Sequence, residues 1–129
     1  MSAGAICWCS FGVSDSASFT ANDEVWDYMA VRGLGLVDVV GCPHFSADQR
    51  RPSGAASIAA RRRRTILGLD DCAALVVVDD EYRIMSAREG SGVHLVDPSG
   101  EMRGLAPGSS FHAAQDPWHL AIRMPGPLF

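Results

Sequence analysis

The chain has 129 residues, 47% of them apolar and 20% charged, with a formal net charge of −4, which is the profile of one globular domain with a real core. The acidic balance argues against a general binder of nucleic acid or of anionic membranes. No stretch approaches the roughly 20 apolar residues of a membrane span, and the start lacks the pattern of a signal peptide.

A cytoplasmic location is therefore expected, where Cys7, Cys9, Cys42 and Cys72 stay reduced as buried thiols or metal ligands. The chain opens on MSAGAICWCSF, whose small and apolar residues predict a helix directly behind Ser2 with its first amides aimed at that serine. GVSDSASFTAND reads as a loop. NDEVWDYMAVRG, with Asn22 or Asp23 as a cap and Gly33 as a stop, predicts a short helix. LGLVDVVGCPHF is Val-rich and ends at a proline, the pattern of a buried strand that delivers His44 at its carboxyl end.

Pro52 and Gly54 mark a further loop, followed by a helix over ASIAARRRR that ends near Gly68. CAALVVVDD, EYRIMSAR and GVHLVDP are strand-like and separated by tight turns, as in a meander or hairpin pair. From Gly104 onward the Pro/Gly-rich tail has no clear period. The expected division is a folded domain over 1–103 and an irregular tail over 104–129.

Ser-Ala-Gly-Ala carries the downstream half of a nucleophile elbow, in which small neighbours let a serine sit on a sharp turn. A bland helix start of small residues is the competing reading. A nucleophilic serine needs a base and a group that orients the base. His44, between a proline and an aromatic at a strand end, is the favoured base, ahead of His94 in an apolar strand and His112 and His119 in the tail. Asp15 in VSDS is the candidate orienter.

The segments SAGAICW, SDS, GLGLVDVVGCPHF, RRP and LGLDDCAALVVVDDE, in that order, resemble the C-terminal half of the dipeptidase E family of serine peptidases, aspartyl dipeptidases related to cyanophycinase. The resemblance covers Met1 to about Gly100. It implies an α/β fold: part of a three-layer, flavodoxin-like sandwich of the class I glutamine-amidotransferase type, with a C-terminal antiparallel ribbon. It also implies Ser2 as nucleophile, His44 as base, Asp15 as acidic partner and the Ala3 amide as an oxyanion donor. The substrate class implied is a short peptide beginning with Asp, which calls for a cationic group. Arg50, Arg51 or one of Arg61–Arg64 could supply it. No metal or organic cofactor is required.

The family's N-terminal half, with the strand leading into the nucleophile, has no counterpart here. The chain therefore reads as a fragment or as one with a misassigned start, its own activity weak or absent, and an unpaired sheet edge open to self-association. Two readings compete with the peptidase. One is a non-catalytic relic or interaction module. The other is a zinc-binding domain through Cys7, Cys9, Cys42 and His44, which the tight Cys-x-Cys spacing disfavours against buried thiols. The arginine run reads as a solvated helix face, because no aromatics interleave it.

Overall fold

The computed structural model describes residues 2–16, 27–79 and 81–112. Its elements in chain order are α1 (Ser2–Ile6), β1 (Cys9–Ser14), β2 (Met29–Arg32), β3 (Val37–Pro43), α2 (Arg50–Arg62), β4 (Ile66–Leu69), β5 (Ala73–Val78), β6 (Glu81–Ser86), β7 (Val93–Val96), β8 (Met102–Leu105) and β9 (Ser110–His112). A six-stranded sheet runs β2-β1-β3-β4-β7-β8, and a separate antiparallel sheet runs β5-β6-β9. In the larger sheet β1, β3 and β4 are parallel, while β2, β7 and β8 pair antiparallel to their neighbours. The chain is thus α/β, with a mixed sheet.

Alternation along the central strands builds a core on each face of that sheet. Val40, Ile66 and Val96 face α2 and pack with Ala55, Ile58 and Ala59. Their neighbours Val39, Leu67 and Leu95 face the other way and pack with Tyr82 and Ile84 of the small sheet. A strand covered on both sides needs apolar residues at successive positions, which is why VDVVGCP of β3 is so rich in valine. Each fully buried aliphatic side chain contributes roughly 1.5–3 kcal/mol.

Helix α2 buries Arg51, Ala55, Ile58 and Ala59, a stripe at the spacing expected of one helical face. It begins earlier than the sequence predicts. Pro52 stands in its first turn, where a missing N–H costs nothing. Within the helix, position 54 is glycine because a Cβ there would lie 2.3 Å from the Tyr28 ring. The helix ends on Arg63, left-handed at φ 53°, whose N–H bonds to the Ala59 carbonyl.

Three other expectations are corrected. The first helix stops at Ile6, and Cys9–Ser14 is a strand, held by β3 on one side and β2 on the other. Met29–Arg32 is β2 rather than the end of a helix, while 17–26 lie outside the described residues. The third strand of the expected meander, β7, leaves the hairpin and pairs with β4 in the main sheet. β8 runs across the expected 103/104 boundary, and 113–129 lie outside the described residues. Among the described residues no helix is long and apolar enough to cross a membrane.

Gly68 of β4 is where the ring of Phe45 lies, 2.5 Å from the place a Cβ would take. Gly68→Ala is expected to destabilise the fold by about 1–3 kcal/mol through overpacking, read as a lowered midpoint in denaturant unfolding.

Candidate active site

The parallel register of β3 and β4 sets Pro43 opposite Leu69. The next residues on each strand, His44 and then Asp70 and Asp71, emerge side by side at the carboxyl end of the sheet, where open α/β sheets hold their ligands. His44 Nδ1 bonds to a carboxylate oxygen of Asp71. The His44 side chain is 35% exposed and that of Asp71 43%, so the dyad is held yet open to solvent. With Nδ1 donating to the carboxylate, Nε2 is left as the basic nitrogen.

His44 has a left-handed backbone, φ 54°, a conformation that costs a non-glycine residue roughly 1–2 kcal/mol. The following residues hold it there. The Phe45 N–H donates to Leu69 O at 3.0 Å, and the Ala47 N–H donates to His44 O at 3.1 Å. The Ser46 N–H donates to Asp70 at 3.1 Å. Asp70 also accepts from the Gly92 N–H at 3.0 Å and from His94 Nε2 at 2.8 Å. Burial pushes the Asp70 carboxyl up, but the bonds from Ser46, His94 and Gly92 outweigh it and leave the pKa below the usual value.

Asp15, the acidic partner expected from sequence, does not meet His44. It lies just beyond the end of β1, and its carboxylate accepts from Arg51 at 2.9 Å. The physical reason is Arg51, buried on α2 with its guanidinium 5.3 Å from the Tyr28 ring centre, which needs a counter-charge. Arg50 is likewise engaged, donating to Asp48 at 3.0 and 2.9 Å, and this holds the Asp48 pKa down to about 2. Ser2 is the first residue of α1, and its hydroxyl lies outside the described side chains. Ala3 lines a cavity of about 370 Å³ together with Ile6, Ser14, Val31 and Arg32. No ion pair engages Arg32 among the described residues.

The arginine run is spread over different tasks. Arg62 lies over the Phe11 ring at 4.6 Å, Arg63 caps the helix, and Arg64 donates to the Asp38 carboxylate at 2.8 Å. Cys9 and Cys42 are buried, and burial pushes the Cys42 thiol up to about 12 despite the nearby Arg51. That is the condition of a packed thiol. Among the described residues no three His, Cys, Asp or Glu side chains gather as metal ligands. Asp71 is the partner of His44 that sequence reasoning missed. Its signal was the pair Asp70–Asp71 directly after a short apolar run, the mark of a strand end.

A model described as peptidase family S51 matches residues 1–85. The "Uncharacterized peptidase YgaJ" of Bacillus subtilis (strain 168) is 32% identical over 98 residues, covering 74% of this chain and 39% of that protein. The chain thus spans about two fifths of the length of the relative it matches.

Two outcomes follow from these contacts. Asp15→Ala strands a buried guanidinium and is expected to cost on the order of 3 kcal/mol of stability, with the His44–Asp71 contact unchanged by NMR. The lowered pKa of Asp70 makes its stabilisation complete above the unfolded-state value near 3.9, to be lost as pH falls through the folded value. Thermal midpoints measured below about pH 4 should therefore fall less steeply in Asp70→Asn than in the wild type.

Proposed function

Because the chain belongs to peptidase family S51, the dipeptidase E-like peptidases, we propose that it carries the base and orienting acid of a serine-type acyl transfer on short peptides. The contact between His44 Nδ1 and Asp71 supports this reading most directly. Ser2 is the nucleophile, His44 Nε2 takes its hydroxyl proton, and Asp71 fixes the imidazole tautomer and stabilises the imidazolium. Asp71 takes the role that the resemblance implies for Asp15, which serves instead as the counter-charge of Arg51.

Attack of Ser2 on the peptide carbonyl gives a tetrahedral species, towards which the Ala3 amide contributes one donor. His44 then protonates the departing amine, and water hydrolyses the acyl-enzyme with His44 again as base. The core on each face of the main sheet supports a flavodoxin-like layering of the glutamine-amidotransferase type. For a substrate beginning with Asp, the guanidinium we assign to its carboxylate is Arg32 beside Ala3, since Arg50 and Arg51 are paired with Asp48 and Asp15.

The test is hydrolysis of Asp-initiated dipeptides against neutral ones. Ser2→Ala and His44→Gln should abolish turnover, and Asp71→Asn should lower kcat by about 10⁴-fold through the wrong tautomer. Arg32→Gln should raise KM for the acidic substrates alone. Identical behaviour of the wild type and Ser2→Ala would overturn the peptidase reading in favour of a relic or interaction module.

A further inference from the structure

We propose that Asp70 and His94 are a positioning pair that holds the His44–Asp71 dyad in its bonded geometry. The proposal deepens the reading above and rests on it for the role of His44. Among the described side chains neither bonds to the side chain of His44 or Asp71; each acts through the backbone that carries the dyad.

The Asp70 side chain is 6% exposed, and its carboxylate joins three segments. It takes the Ser46 N–H two residues after His44, the Gly92 N–H at the entry to β7, and His94 Nε2 within β7. Asp70 is also the residue directly before Asp71. One buried carboxylate therefore ties the loop that carries the base to the turn that carries the orienting acid. A carboxylate taking several N–H donors is a strong and directional anchor.

The His94 ring adds a second tie. It stacks on Phe45 with ring centres 4.9 Å apart and planes 25° from parallel. Phe45 in turn lies against Gly68 of β4. The strained turn at His44 is thus held on its following side by the Phe45–His94 stack and the Ser46–Asp70 bond. Backbone strain of this kind persists only where the surroundings over-determine it. Without the His94 donor, Asp70 keeps two backbone bonds but loses the side chain that aims it, and the His44 turn is free to relax away from Asp71.

Proton NMR of the intact chain tests this without any turnover, so its outcome is independent of the dipeptide assay. The Nδ1–H of His44, bonded to Asp71, should give a downfield imidazole resonance that His44→Gln removes. His94→Phe keeps a ring against Phe45 but deletes the donor to Asp70. It should shift that resonance upfield and speed its exchange with water at least about tenfold, as when a local opening becomes easier. His94→Gln, whose amide can donate to Asp70, should restore much of the wild-type signal. Asp70→Asn should behave like His94→Phe; if it fails to fold, the two His94 variants decide. A His94→Phe protein that melts earlier but keeps the His44 resonance and its exchange rate unchanged would reduce the pair to a structural role and overturn the proposal. So would the absence of any such resonance in the wild type.

Discussion

The parallel ladder between β3 and β4 is the constraint on which the site depends. Pro43 opposite Leu69 makes His44 and Asp70 the first residues to leave the sheet on neighbouring strands. A slip of one residue would carry every side chain of a strand to the opposite face. Here that would exchange Ile66 with Leu67 between two separate cores, one filled by α2 and the other by the small sheet. The register is therefore held by apolar packing on both faces, and the polar contacts at the strand ends inherit it.

Charge is distributed in the same economical manner. The two acidic residues at the end of β4 divide their tasks: Asp70 turns inward to three donors, and Asp71 remains beside His44 at the surface. On the α2 face of the sheet the buried Arg51 is neutralised by Asp15 and sits against Tyr28. Asp15 and Asp71 both stand just past the ends of parallel strands, β1 and β4. Burial of a cation under α2 claimed Asp15, and exposure beside an imidazole claimed Asp71.

What could be read from sequence was what burial writes into it. The Val-rich run before Pro43 announced β3, and with it the position of His44 at a strand end. The strands β5, β6 and β7 were visible for the same reason. Pairing was not visible. Whether Asp15 or Asp71 faces His44 depends on which strands lie side by side, and β4 is only four residues long, placed directly behind an arginine-rich helix. The pattern of 22–33 suits a helix, and local sequence carries no trace of β2 because its partner in β1 lies 15 or more residues away. Pro52 and Gly54 carry a loop signature in sequence, yet proline is at home in a first helical turn and the glycine makes room for Tyr28.

The hairpin of β5 and β6 leaves the main sheet after Asp70 and returns at Gly92, and Asp70 bonds to both the returning N–H and His94. The two ends of this excursion are thus clasped at its neck. For a loop so closed, the entropic cost of extra length grows only with the logarithm of residue number, about 0.6 kcal/mol per doubling. The far turn of the hairpin is accordingly a place where the chain can accept an inserted tag or a longer ribbon, while the neck, and the dyad that hangs from it, keeps its shape.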